Sequence, residues 1–267
     1  MNELLQAFLR MSNKFFPLYL LISLTYLTGL TPIASAAIPL VTDDTGTQGK
    51  GKFQLEVLGE YGYDKDDGAK ENTEDFTASF TYGIFDPVDI VLSVPYEFGR
   101  EKEGGCTEKE QGLADLSLEL KWRFFDREGF SLALKPGLTL PTGDEEKGLG
   151  PGRANGYLFL LTSREAAPWA FHLNLAYIRN ENKTDERKNL WHVSLASSYD
   201  IFKYLKFVGD LGMEKNPYRC SSVDPAYILG GFIYSPRENI DIGLGIKGGL
   251  TDAETDISIR GGVTWRF

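Results

Sequence analysis

Apolar and polar residues alternate along most of the chain after residue 50, and the alternation is clearest in the last eleven residues. A period of two is typical of a β-strand whose two faces meet different surroundings. The same rhythm recurs along the chain, and we predict twelve strands between residues 50 and 267. In the terminal strand, the apolar face carries Ile257, Ile259, Val263, Trp265 and Phe267.

The connections between the predicted strands alternate in length. An even strand number, with short turns at one end and long loops at the other, is typical of outer-membrane barrels. A sheet in lipid must also close, because every backbone N–H and C=O there needs a partner. We therefore predict an all-β, twelve-stranded antiparallel transmembrane barrel, apolar outside and polar inside. The predicted short turns lie near 84–88, 125–129, 164–168, 200–204 and 235–239, and the long loops near 64–75, 99–111, 142–155, 179–189, 214–225 and 249–256.

Two predicted strands and two prolines fit this pattern badly. The segments 156–162 and 226–234 are apolar on both faces, so their inward face is ambiguous. Pro95 and Pro136 fall inside predicted strands, where proline removes a ladder hydrogen bond. We expect a bulge or a weak rim at each proline.

Residues 1–36 have the features of a secretory signal. Arg10 and Lys14 precede an apolar run at 18–30, and the run ends before an A-x-A site at 34–36. The run is too short to span a bilayer, which takes ~20 residues. We expect cleavage after Ala36, and we divide the chain into a signal peptide (1–36), an N-terminal lead-in segment (37–49) and a barrel (50–267).

The end of the chain resembles the C-terminal signal of bacterial outer-membrane barrels. It carries a glycine and two aromatic residues at the spacing of that signal: Gly262, Trp265 and Phe267. The resemblance implies recognition by the barrel assembly machinery and a location in a bacterial outer membrane. The alternative is an ordinary terminal strand of a soluble β-protein.

Charge narrows the function classes. The chain has 28 basic and 38 acidic residues, a formal net charge of −10, which argues against nucleic-acid partners because these need a basic footprint.

Two interpretations of the inward charges stay open: they line a pore and set its selectivity, or they pair across the lumen and fill it. Barrels of about 8 strands are filled by side chains and barrels of about 16 leave a channel, so twelve lies between. The lumen-lining candidates are Glu56, Glu60, Asp115, Glu119, Lys121, Arg123, Lys135, His172, His192, Asp241, Lys247, Arg260 and Arg266.

One short motif suggests catalysis. His192-Val193-Ser194 is similar to the His-x-Ser pair of outer-membrane lipid enzymes, but a serine nucleophile also needs a group that orients its base. About a dozen residues after the histidine, where those enzymes carry an Asn or an acid, this chain has Tyr204. His192 is expected opposite Leu175, about 10 Å along the strands from His172, which argues against a shared metal. We predict no enzyme activity, no metal and no cofactor.

The two cysteines fall in the second and fifth predicted long loops, at Cys106 and Cys220. Export through an oxidising compartment permits a disulfide between them, provided that their Cα atoms come within about 7 Å. Two unpaired cysteines, or a bond between two chains, are the alternatives.

Several stretches together resemble the family named for the MetA pathway of phenol degradation. The resemblance implies an outer-membrane barrel of a transporter-like type, in contact with outer-membrane lipid and lipopolysaccharide, and brings no catalytic residues. The leading hypothesis is passage of a small solute, aromatic or apolar in character. The rival is a closed barrel with a structural or surface-interaction role, and the third is a lipid-modifying enzyme. The stretches are YGIFDPVDIVLSVPYEF (82–98), GLADLSLELKWRF (112–124), LKPGLTLPTGD (134–144) and ENIDIGLGIKGGLTDAETDISIRGGVTWRF (238–267).

Overall fold

The fold is a single antiparallel sheet that closes on itself, seen in a computed structural model. The structure describes residues 38–267 except 67–68 and 104–105, and it describes no side chains at 66–70 and 100–109. The predicted signal peptide and its cleavage site lie outside the described residues. The strands are β1 (Phe53–Asp66), β2 (Ala69–Phe85), β3 (Val88–Glu103), β4 (Cys106–Leu113), β5 (Leu116–Arg127), β6 (Phe130–Leu140), β7 (Asn155–Ala166), β8 (Trp169–Arg179), β9 (Asn189–Phe202), β10 (Leu205–Glu214), β11 (Ala226–Arg237), β12 (Ile240–Gly249) and β13 (Ile257–Arg266).

Thirteen strands make a ring of twelve, because β4 and β5 are two pieces of one wall strand. Both pieces pair with β3, one above the other. The ring closes where β1 pairs with β13, and there Phe53 and Phe267 exchange backbone hydrogen bonds of 2.8 and 2.9 Å. The prediction of a closed twelve-stranded antiparallel barrel is confirmed.

The two prolines interrupt the ladder, as predicted. β3 pairs with β5 as far as Ser93 and with β4 from Tyr96, so Pro95 lies at the change of partner. On β6, the pairs with β5 stop at Gly137 and resume at Leu134, on either side of Pro136. Since proline has no N–H to donate, each of these positions weakens the wall beside the fourth strand.

The predicted long loops at 64–75 and 99–111 are wrong. β1 and β2 continue as a hairpin to Asp66 and Ala69, and β3 and β4 continue to Glu103 and Cys106. These strand ends are polar on both faces, which resembles a loop in sequence. Polar residues on both faces suit strands that extend past the lipid, because water then meets both sides. The predicted short turns are confirmed at all five positions.

The wall is apolar outside and polar inside. The outward side chains include Phe80, Trp122, Phe171, Phe232, Leu244 and Trp265, which are 40–61% exposed. A continuous apolar belt of this kind marks contact with lipid rather than water. The described residues contain no helix long and apolar enough to cross a membrane, and the one helical element described among them is the short turn Glu145–Lys147.

Candidate functional site

The N-terminal segment 38–49, which we name the resident segment, lies inside the barrel. Its contacts reach wall strands on opposite sides of the ring. Pro39 and Thr42 contact β10 to β13, whereas Asp43 and Thr45 contact β5 to β8. The segment therefore crosses the lumen before the chain enters β1.

The beginning of the resident segment rests against a patch of inward glycines, which we name the glycine seat: Gly231, Gly243 and Gly245. A β-carbon at Gly243 would collide with the carbonyl of Ile38, and one at Gly245 would lie 2.8 Å from the Pro39 ring. Glycine is needed here because two backbones approach closely. The seat fixes the segment by shape.

An apolar contact sits beside the glycine seat. Leu40 packs on the buried side chains of Val208 and Ile233. This contact explains the ambiguous strand at 226–234, since β11 turns Leu229 and Ile233 inward and Phe232 outward.

Asp210 on β10 holds the middle of the resident segment. Its carboxylate accepts hydrogen bonds from the backbone N–H groups of Val41 and Thr42, both at 2.8 Å, and from the Thr42 hydroxyl at 2.7 Å. The Tyr227 hydroxyl lies 3.3 Å away on the same carboxylate. Asp210 is only 3% exposed, so its charge is satisfied mainly by the segment.

Two lysines on the opposite wall grip the segment, and we name them the lysine clamp. Lys121 Nζ lies 2.8 Å and Lys135 Nζ 3.0 Å from the Asp43 carboxylate. Asp44 is 3.8 Å from Lys121, and Glu119 is 3.4 Å from Lys135. Asp43 lies outside the spanning strands. Burial by itself would raise the pKa of its carboxyl, but the two lysines outweigh burial and hold that pKa below its ordinary value.

Hydrogen bonds to the wall hold the resident segment from Asp43 onward. The Asn174 side-chain amide, in the orientation that satisfies both of its groups, donates to the Asp43 carbonyl at 2.8 Å and accepts from the Asp43 N–H at 2.7 Å. Thr45 bonds Ser163 through its N–H at 3.1 Å and Ser131 through its hydroxyl at 2.5 Å. Polar contacts thus fix the second half of the resident segment.

A second charged network lies above the glycine seat. Glu60 forms ion pairs with Arg260 and with Lys247, the latter at 3.2 Å, and Lys247 also pairs with Glu254 at 3.0 Å. Arg260 donates to the Pro39 carbonyl at 3.0 Å. Three predicted lumen residues are therefore joined to one another, and one of them binds the resident segment.

The remaining predicted lumen residues bind other wall or loop groups. Each has a polar contact with a wall or loop group: Glu56 to Thr264 (3.1 Å), Asp241 to Arg266 (2.8 Å), Arg123 to Asp126 (3.5 Å), His172 to Ser163 (2.9 Å), His192 to Glu214 (3.3 Å) and Asp115 to the Gly143 N–H (2.9 Å). Asp115 lies in the break between β4 and β5, where it binds the loop between β6 and β7. His192 faces Ala176, so the expected pairing with Leu175 is wrong by one residue.

Three of the long loops are tied together at the long-loop end. Lys183 pairs with Glu145 at 2.6 Å. Arg187 donates to the carbonyls of Asn216, Tyr218, Arg219 and Ser221. Cys220 in this group is exposed. The Cys106 side chain lies outside the described residues, so the disulfide stays a prediction.

The closed wall, its lipid-type outer belt and its polar interior define an outer-membrane β-barrel. Structures of such barrels match this chain. An outer membrane channel from Pseudomonas putida F1 has 14% sequence identity and a TM-score of 0.67, over 84% of this chain and 98% of the channel. The translocator domain of the autotransporter NalP from Neisseria meningitidis has 11% identity and a TM-score of 0.52, over 82% and 89%.

A third match is the KdgM porin in complex with disordered oligogalacturonate, with 12% identity and a TM-score of 0.51 over 80% of this chain and 99% of the porin. At these identities the likeness shows the fold alone. The chain belongs to the family described as "Putative MetA-pathway of phenol degradation", whose match covers residues 36–267. Among curated proteins, none matches the chain.

Proposed function

We propose that this protein is a channel of a bacterial outer membrane that passes a small solute, and that the resident segment is its movable plug. In this proposal the short turns face the periplasm and the long loops face outward, as in other barrels of this type.

The observation that carries the proposal is the way in which the lumen is filled. Inward wall positions around the resident segment hold small residues such as Gly243, Ala133, Ser163 and Ser194. The wall side chains therefore do not fill the space by themselves, and the resident segment occupies it. Twelve strands enclose more room than the filled barrels of about 8 strands.

The contacts of the plug suit reversible docking. Apart from Leu40 and the glycine seat, the segment is held by hydrogen bonds and ion pairs. Water and ions can replace such contacts when the segment leaves, whereas a large apolar core would oppose its departure. After the predicted cleavage behind Ala36, the segment would also have only one covalent tether, at β1.

The rival is a closed barrel whose resident segment never leaves. The ion pairs around Glu60 and Asp241 favour it, because they would keep the lumen neutral without any solute. For the third hypothesis, Ser194 is buried inside the lumen and faces away from lipid. We therefore propose no lipid-modifying activity.

Single-channel recording in planar bilayers tests the proposal. The full mature protein should give rare or small openings, and a variant that lacks residues 38–46 should give sustained current many times larger. A synthetic peptide of residues 38–46, added from the short-turn side, should reduce that current, and a scrambled peptide should not. A deletion variant that assembles in heat-modifiable form and still carries no current would support the closed barrel instead.

A further inference from the structure

We propose that the lysine clamp is a binding site for a small carboxylate, an aryl carboxylate above all, and that Asp43 occupies it while the lumen is plugged. The inference rests on the proposed function and names the class of solute that the channel would take.

The clamp has the construction of an anion site. Lys121 and Lys135 stand on neighbouring strands, and their amino groups meet the two oxygens of one carboxylate, at 2.8 Å to Oδ1 and 3.0 Å to Oδ2. Both side chains are largely buried, with 11% and 14% of their surface exposed. Charged groups in such positions need a partner, because a buried charge without one is strongly destabilising.

The partners of the clamp belong mostly to the resident segment. Both carboxylates within ion-pair distance of Lys121, Asp43 and Asp44, leave with the segment. Lys135 keeps Glu119 at 3.4 Å. Undocking therefore removes both ion-pair partners of Lys121, and a solute carboxylate would replace the one that Asp43 supplies.

An aromatic surface adjoins the clamp. Lys135 Nζ lies 5.4 Å from the centre of the Phe159 ring. Phe159 in turn is 5.8 Å from Tyr157 and 5.9 Å from His192, measured between ring centres, and both are inward residues of β7 and β9. A ring attached to the bound carboxylate would lie along these side chains, where aromatic pairs gain beyond simple burial.

Acidic wall residues near the site limit the negative charge of the ligand that it can bind. Glu119 already takes part in binding Lys135, and Glu56 lies close enough to influence both Asp43 and Lys121. These carboxylates disfavour a dianion beside the clamp. A monoanion matches the one charge that Asp43 supplies.

Chemical rescue tests the site apart from conduction. Asp43→Ala should unfold at a lower temperature than the wild type, and benzoate should restore several degrees in a concentration-dependent manner. Acetate should need a higher concentration, and benzamide, which has no charge, should have no effect. Asp43→Gly, which also leaves the carboxylate position empty, is the second variant if Asp43→Ala does not assemble. Tryptophan fluorescence in detergent gives the unfolding temperature.

The control is Asp43→Ala in a protein whose lysine clamp has lost Lys121. Benzoate should give no rescue in Asp43→Ala with Lys121→Gln, nor in the wild type, where Asp43 holds the site. Equal shifts by benzoate and benzamide, or equal rescue with and without Lys121, would overturn the carboxylate site. Because this readout needs no current, it can fail while the plug-deleted channel still conducts. Conversely, the site can bind benzoate in a barrel that never opens.

Discussion

The two halves of the resident segment are held by opposite means. Residues 38–40 fit the glycine seat and pack on Val208 and Ile233, so shape decides their position. Residues 43–45 are held by the lysine clamp, Asn174, Ser131 and Ser163, so charge and hydrogen bonds decide theirs. A shape contact accepts one occupant, whereas a charge contact can accept another group of the same charge. The first half therefore determines which segment docks, and the proposed exchange with a solute would take place at the second half.

The largest effect is expected from removing the clamp. Lys121→Gln with Lys135→Gln leaves Asp43 buried without a cation, and breaking a buried pair in this way costs about 3–5 kcal/mol. The docked state should lose most of its occupancy, so the open fraction in bilayer recordings should rise by orders of magnitude. Lys147→Gln, which removes an exposed loop lysine paired with Asp144, is the control for loss of charge. An unchanged open fraction in the double variant would mean that the clamp does not hold the plug.

A smaller effect is expected from filling the glycine seat. Gly243→Ala places a methyl group against the Ile38 carbonyl, and overpacking of this kind costs about 1–3 kcal/mol. Openings should become more frequent, with conductance equal to that of the deletion variant. Gly230→Ala is the matched control, because a β-carbon there meets nothing within 4 Å. Equal open fractions of the two alanine variants would show that the glycine seat does not hold the resident segment.

The smallest effect is expected from acid. The carboxyl of Asp43 has its pKa held below the ordinary value, so its contribution is fully present above about pH 4, where an unfolded Asp ionises. The contribution is lost only as the pH falls through the lowered value. The closed fraction should therefore stay constant from about pH 7 to about pH 4 in recordings of the wild type. Opening near pH 6 that disappears in Asp43→Asn would show that the lysines do not stabilise this carboxylate.

Much of the wall could be predicted from the sequence, because a strand between lipid and lumen repeats its environment every two residues. The terminal strand shows that period along its length, and β5 shows it as far as Phe124, where the register shifts. The predictions were wrong or ambiguous where the period stops. The polar hairpin ends beyond the lipid resemble loops, and β11 is apolar on both faces because Leu40 packs on its inward face.

The resident segment could not be predicted in the same way. Residues 37–49 read as a short lead-in, since an extended segment inside a barrel has no repeat of its own. Its partners are far along the chain, with Thr42 and Asp210 separated by 168 positions. Lys121 and Lys135 were recognised as inward charges, but their partner Asp43 was not. Asp210 was not among the lumen-lining candidates, and no pattern around it predicts that it binds backbone N–H groups.

The most direct test of the plug is a reversible lock. The hydroxyls of Thr45 and Ser131 lie 2.5 Å apart, so cysteines at both positions fall within reach of a disulfide. The pair is placed in a protein with Lys121→Gln, Lys135→Gln, Cys106→Ser and Cys220→Ser, and single-channel current is recorded before and after reduction. We expect the oxidised protein to stay closed and reductant to restore the open current, with no response in the protein that carries Thr45→Cys alone. Current that flows equally through the oxidised and reduced protein would contradict the claim that this segment closes the lumen.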